Sequence, residues 1–338
     1  MFVVGGESLM DVEVVPAGPG HMAHMVAHRG GSPYNCAMAL SKLGNSAGFL
    51  CPISKDPFGS YLLEALDEVG VTTLLRAEPV EAQTTLAVVT KDADGKAQYK
   101  FHRRADKAFT PDGLIAALPD ELTLFQVGGF CTIDAEDTAA WLQVAREAAR
   151  RGATISTDPN VRPLLIDDYD AYWRQVESVL DLAHLVKFSH EDLMTVEKRQ
   201  ATKVLPEDEE EAIIAKYVAS FFARPNVELV VVTLAERGSR AYTRNGARAD
   251  HGIYSVPVRP GEDVKKTRDT IGAGDTLMAG ILSWLAKHGH LVVGRLGTLD
   301  AAALEKMLRF GAVAAGLNCA HLGCHPPTRA EVDAVLAA

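Results

Sequence analysis

Short runs of continuous apolar residues recur along this chain, separated by stretches in which apolar residues return every three or four positions. The runs lie at residues 2–4, 47–50, 124–127, 154–157, 185–188 and 229–233. Because they are continuous rather than alternating, they predict strands buried on both faces. Between them, residues 33–43, 61–69, 135–150, 169–182 and 212–222 show the helical period. The acidic run at 207–212, EDEEEA, opens the last of these, since carboxylates suit the positive end of a helix dipole. Strand and helix in alternation predict an α/β chain: a mostly parallel central sheet with helices on both faces.

One region breaks the rhythm. TTLAVVTKDADGKAQYKFHRR, from residue 84, predicts two strands joined by a turn at 92–95. Residues 11–28 predict extended chain near the first strand. Together these form a small antiparallel sheet beside the main one, suited to a lid or a dimer contact.

The chain has 338 residues, 47% hydrophobic and 23% charged, the composition of a soluble globular protein. No apolar run approaches the ~18 residues of a membrane helix. The N-terminal MFVVGGESLMDVEVV lacks a basic region followed by a long apolar one, so no signal peptide is expected. The net charge of -10 argues against nucleic acid as a partner. Five scattered cysteines (Cys36, Cys51, Cys131, Cys319 and Cys324) fit reduced thiols and a cytoplasmic location. CAHLGCH, with Cys319, His321, Cys324 and His325, has no zinc-pair spacing and reads as a loop after a helix.

Chemistry concentrates in DTIGAGDTLMAG, residues 269–280. Gly272, Ala273 and Gly274 place bare backbone N–H groups where an apolar helix begins, a site made for an anion. Asp275 follows at once, and a carboxylate there would repel a simple anionic ligand. It makes sense if Asp275 takes a proton from a hydroxyl while the amides steady a migrating phosphoryl group. A helix cap on a tight turn is the plainer alternative. The segment is neither a Walker A loop nor a dinucleotide fingerprint, because the lysine and the third glycine are missing. Elsewhere, Gly30 and Gly31 precede a helix whose first turn carries Asn35, a donor and an acceptor for a hydroxyl-rich ligand.

Residues 269–275 resemble the C-terminal signature of the ribokinase-like (pfkB) carbohydrate kinases. GGSPYNCAMALSKLGN from Gly30 is similar to their N-terminal signature. ISKDPFGSYLLEALDEVGV, DPNVRP, VKFSHEDL, VVTLAERGS and AAGLNC continue the resemblance in order over nearly the whole chain. It implies a three-layer α/β/α fold with a small β lid, one kinase domain over 1–338, and a lid from about 11–28 and 84–106. Asp275 is then the catalytic base, with Gly272, Ala273 and Gly274 as the anion hole. Asp11, Gly30, Gly31, Asn35 and Asp158 become sugar ligands. Arg103 reaches over the sugar from the lid, or Arg104 in its place, and Arg162 lies near the transferred phosphate. Lys187, Ser189, Thr233, Gly238 and Asn318 serve the nucleotide. Glu191 holds Mg2+, through water, and the backbone near Asp269 and Ile271 offers a K+ site. Three positions depart from the family pattern. Ser189 replaces an asparagine. Ala235 replaces a glycine, acceptable unless its φ is positive. Arg268 replaces an apolar residue, for which the sequence offers no account.

The expected activity is ATP-dependent phosphorylation of a primary hydroxyl on a small sugar, fructose first, since GGSPYN and the lid arginine look most like fructokinases. The alternatives are 2-keto-3-deoxygluconate, whose carboxylate an arginine could pair, and a non-catalytic sugar- or nucleotide-binding regulator. Expected cofactors are ATP, Mg2+ and K+, and the expected assembly is a homodimer through the lid sheet.

Overall fold

The computed structural model describes residues 1–15, 24–91, 97–199, 205–259, 262–264 and 268–338; the turn expected at 92–95 and part of the extended chain expected at 11–28 lie outside them. The first half of the chain runs β1 (Phe2–Gly5), β2 (Leu9–Val15), β3 (His24–Gly30), α1 (Ser32–Lys42), β4 (Ala47–Leu50), α2 (Pro57–Glu68), β5 (Thr72–Thr73), β6 (Leu86–Lys91), β7 (Ala97–His102), α3 (Pro111–Ala116), β8 (Leu124–Gly128) and α4 (Ala135–Arg150). The second half runs β9 (Thr154–Asp158), α5 (Tyr169–Leu180), β10 (Leu185–Ser189), α6 (His190–Lys198), α7 (Glu207–Phe222), β11 (Leu229–Thr233), β12 (Ser239–Thr243), β13 (Arg248–His251), α8 (Ala273–Lys287), α9 (Ala301–Asn318) and α10 (Arg329–Ala337).

Nine strands form the central sheet in the order β13-β12-β11-β10-β9-β8-β1-β4-β5. From β11 to β5 every pairing is parallel, while β12 and β13 are antiparallel additions at one edge. Side chains leave a strand alternately to its two faces, so each continuous run feeds two cores. Val4 and Val231 pack with α1, α8 and α9 on one face. Val3 packs with α4 on the other, where Val230 and Val232 pack with α5, α6 and α7. This is the expected three-layer α/β/α arrangement.

The second sheet has four strands in the order β3-β2-β6-β7. It is mixed rather than wholly antiparallel, because β2 and β6 run parallel. The edge strands β12 and β13 escaped the pattern reading. Their alternating burial gives a weaker signal than a run buried on both faces. α2 begins four residues before the expected start, at Pro57, with Asp56 capping it by accepting from the Gly59 N–H at 2.8 Å.

Candidate active site

Strand order reverses between β1 and β8, and ligands in open α/β sheets bind beyond the strand ends at such a switch point. The carboxyl ends of β1, β8, β9, β10 and β11 all point one way, and beyond them opens a cleft of about 1030 Å³. Asp11 and His28 of the small sheet, Arg162 after β9, Lys187 of β10 and the 269–275 loop are among its walls.

Asp275 stands in the first turn of α8. Gly272, left-handed at φ 73, leads into that helix, and no side chain caps it. Ala273 donates its N–H to the Thr270 carbonyl at 3.1 Å, and the first i→i−4 bond is made by Thr276 to Gly272 at 2.8 Å. The Gly274 and Asp275 amides between them therefore precede the helical ladder, the kind of N–H pair that suits an anion. Side chains are kept off this turn. A Cβ on Gly274 would stand 3.3 Å from Lys187 Nζ, and one on Gly272 would meet Cys324.

Asp275 is 7% exposed. Its Oδ1 accepts from Ser32 Oγ at 2.6 Å and its Oδ2 from Asn35 Nδ2 at 2.9 Å. Burial pushes its carboxyl above the usual range. The Ser32 and Asn35 hydrogen bonds, then the Lys187 and Arg162 charges, oppose that push. The result is a base of raised proton affinity held among donors and cations. Asn35 Oδ1 is buried with no hydrogen-bond partner among the described residues, an acceptor suited to a hydroxyl.

Lys187 is buried and pairs with Asp158 at 2.6 Å. Burial works against its charge, but Asp158, Asp192 and Asp275 raise its pKa overall. Burial dominates at Asp158, pushing that carboxyl up to about 6 despite the lysine. Asn160, at φ 47, turns the chain so that its Oδ1 accepts from Arg162 at 2.7 Å. Burial also raises Asp11, against Arg162 and then His28.

Of the residues expected from sequence, Asp11, Gly31, Asn35, Arg162, Lys187, Ser189, Glu191, Thr233, Asp269, Ile271, Gly272, Gly274 and Asp275 line this one cleft. Gly30 borders it with no room for a side chain beside Asp11. Others are placed differently. Arg103 does not reach over the cleft: it donates to Asp106, Asp134 and Asp137 at 2.7, 2.6 and 2.9 Å, and that network fixes its position. Arg104 is exposed. Asp158 lies under the floor, on a small cavity of about 10 Å³ behind Asp275, rather than on the cleft. Asn318 is wholly buried; its amide donates to the Ile271 carbonyl and its oxygen accepts from the His325 N–H, both at 2.8 Å. It braces the signature loop from behind. Ser189, besides lining the cleft, caps α6 by accepting from the Asp192 N–H at 3.0 Å. Gly238, at φ 91, makes the tight return into β12, with no room for a Cβ beside the His251 carbonyl.

Several participants carried no signal in the sequence. Glu7, after β1, is 3% exposed, and burial pushes its carboxyl up to about 7. It accepts from the backbone N–H groups of Ser32 at 3.2 Å and Phe130 at 2.9 Å. A glutamate in GGESL marks nothing until the fold brings those amides to it. The 319–325 loop buttresses the site, because Gly323 donates its N–H to Asp269 at 2.7 Å and Cys324 backs Gly272. Ala235 has φ 51, the condition under which glycine is the better residue. Arg268 is explained too: it pairs with Glu262 and donates to the Val256 carbonyl at 2.6 Å, fastening the approach to the signature.

Comparison with known proteins follows the same lines. Residues 1–331 match the model of the pfkB family carbohydrate kinases. Fructokinase-1 of Zea mays is 31% identical over 307 residues, 90% of this chain and 86% of that protein. The Xylella fastidiosa fructokinase solved with bound ATP superposes with a TM-score of 0.77 at 25% identity, over 99% of this chain and 98% of that one. A Vibrio cholerae fructokinase double mutant solved with fructose, ADP and potassium superposes with a TM-score of 0.71 at 22% identity, over 99% and 98%.

Proposed function

We propose fructose as the acceptor for this chain, which belongs to the pfkB family of carbohydrate kinases and is an ATP-dependent sugar kinase. Fructokinases are its relatives in both sequence and structure. The observation that carries the mechanism is the Asp275 carboxylate, buried at the cleft beside an uncapped helix start and a buried lysine.

Asp275 accepts the proton of the primary hydroxyl as its oxygen bonds to the γ-phosphorus and the bond to the ADP oxygen breaks. The Gly274 and Asp275 amides and Lys187 hold the charge on the moving group, which is most of what phosphoryl transfer asks of a protein. Arg162 flanks the transferred phosphate, its planar fork suited to phosphate oxygens. Asp11 and the free Asn35 Oδ1 accept sugar hydroxyls. The small sheet closes over the sugar as a lid.

Among the described residues no group of three or more His, Cys, Asp or Glu side chains could hold a metal. Glu191, which lines the cleft, is the acidic side chain proposed for a metal, while both Asp192 oxygens accept backbone N–H groups, from Val161 at 3.0 Å and Ser189 at 2.9 Å. That carboxylate fits Mg2+, which would keep several waters, take the ATP phosphates as its other ligands and supply charge to neutralise the polyphosphate. The carbonyls near Asp269 and Ile271 would hold K+. On the small sheet, Met25 and Val26 of the edge strand β3 are 64% and 45% exposed, supporting a homodimer through that sheet.

ADP release measured across a panel of sugars tests the reading, with fructose expected to give the highest kcat/KM. Preference for 2-keto-3-deoxygluconate would move Arg162 from phosphate to a substrate carboxylate. No sugar-dependent turnover, with sugar and nucleotide still bound, would make the chain a binder.

A further inference from the structure

Both oxygens of Asp275 are held from the first turn of α1, but only one of the two donors belongs to the expected ligand set. Asn35 takes Oδ2, and the other donor is Ser32 Oγ, 2.6 Å from Oδ1. Ser32 is itself fixed. Its N–H donates to Glu7 Oε1 at 3.2 Å, and Glu7 Oε2 accepts from the Phe130 N–H at 2.9 Å, tying the start of α1 to the turn after β8. The preceding Gly31, at φ 109, brings the chain so close to Glu7 that a Cβ would lie 2.6 Å from the Glu7 carbonyl. Ser32 also lines both the cleft and the small cavity behind the base.

We propose that Ser32 is a positioning residue for Asp275: its hydroxyl, anchored through Glu7, fixes the rotation of the carboxylate that receives the sugar proton. The proposal rests on the reading of Asp275 as the base. A carboxylate has about four acceptor sites, so Ser32 and Asn35 leave lone pairs for the substrate hydroxyl. Two donors on separate oxygens stop the carboxylate turning edge-on to the incoming oxygen, and geometry of that kind is worth large factors in rate. The same hydrogen bond stabilises the ionised form, so its loss moves the acid limb of the rate profile upward.

Charged and titratable groups surround Asp275 from each element packed on it. They are Lys187 of β10, Asp158 at the end of β9 and Arg162 after it, Cys36 on α1 and Cys324 on the loop behind α8; Asp192 of α6 and Asp269 act on these neighbours, and Glu7 after β1 interacts with Arg162. Ser32→Ala leaves all of them in place, so the difference between parent and variant reports the hydroxyl alone.

Steady-state kinetics between pH 5 and 9 on the parent, Ser32→Ala, Ser32→Thr and Asp275→Asn test this. Ser32→Ala should lower kcat about tenfold near pH 6, keep KM for sugar and ATP, and raise the acid-limb midpoint by about one pH unit. Ser32→Thr, which keeps a hydroxyl, should return the midpoint to the parent value. Should the alanine variant melt early, the near-isosteric Ser32→Cys, a weaker donor, is expected to shift the limb in the same direction. A Ser32→Ala profile matching the parent would overturn the proposal. So would a raised sugar KM with an unmoved midpoint, since Ser32 would then be a sugar ligand. Turnover retained in Asp275→Asn would instead sink the base assignment, a separate failure from that of Ser32.

Discussion

Single residues carry the chemistry here because burial changes what their side chains can do. Asp275→Asn keeps size and shape but cannot take a proton, so kcat should fall by roughly 10²–10⁴-fold while sugar affinity persists; isothermal titration beside turnover checks both. Glu7 offers a stability test with a definite sign. Its carboxyl is raised from 4.5 to about 7, so the folded state binds a proton the unfolded chain releases. Its contribution is fully present below pH 4.5 and is lost as pH rises through 7, a swing of about 3 kcal/mol. Glu7→Gln cannot titrate and offers only one acceptor to two N–H donors. It should be markedly less stable than the parent at pH 5, the gap narrowing by pH 8; urea unfolding across that range would show it, and a constant gap would remove Glu7 from the pH dependence. At Ala235, a left-handed alanine costs about 1–2 kcal/mol. Ala235→Gly relieves it, and after glycine's larger unfolded-state entropy the gain should be about 0.5–1 kcal/mol in chemical denaturation. Asp275 and Asn35 stood out in the sequence because their short motifs have a mechanical reason, and Lys187 through the family resemblance alone. Glu7 and Ser32 did not, since their roles come from partners more than a hundred and more than two hundred positions away.

Elements were legible where their pattern is strong. The strands at 47–50 and 229–233 and the helix at 135–150 have the expected bounds. Those elements bury continuous apolar runs or a clear helical face, and tertiary packing only confirms what local periodicity already favours. β12 and β13 lack that signal. β7 shows the limit of placing a functional arginine by its neighbours in sequence. Arg103 just follows this strand and was expected above the sugar, yet it binds Asp106 on its own segment and Asp134 and Asp137 at the start of α4. It stands 4.8 Å over the Phe130 ring and fastens the small sheet to the main body. Arg103→Ala leaves Asp106 buried without its cation and Asp137 with Lys107 alone at 3.5 Å, which should cost about 3–5 kcal/mol. Hydrogen exchange should accelerate across β6 and β7, with the sugar KM changing less than threefold. Full stability with lost sugar affinity would return the arginine to the substrate.

At the scale of the whole molecule, the site joins residues near both ends of the sequence beyond the carboxyl ends of the central strands. Glu7, Asp11, Ser32 and Asn35 come from the first 35 residues, while Asp275 and its buttress at 319–325 come from the last fifth. The hydrogen bond from Ser32 to Asp275 spans 243 positions. During synthesis at about 5–20 residues per second, the carboxylate leaves the peptidyl-transferase centre about 12–50 s after its serine partner. For that interval a growing polypeptide carries Ser32 and Asn35 without the carboxylate to which they donate. Any chemistry that needs this carboxylate therefore waits until the last fifth of the chain has been made.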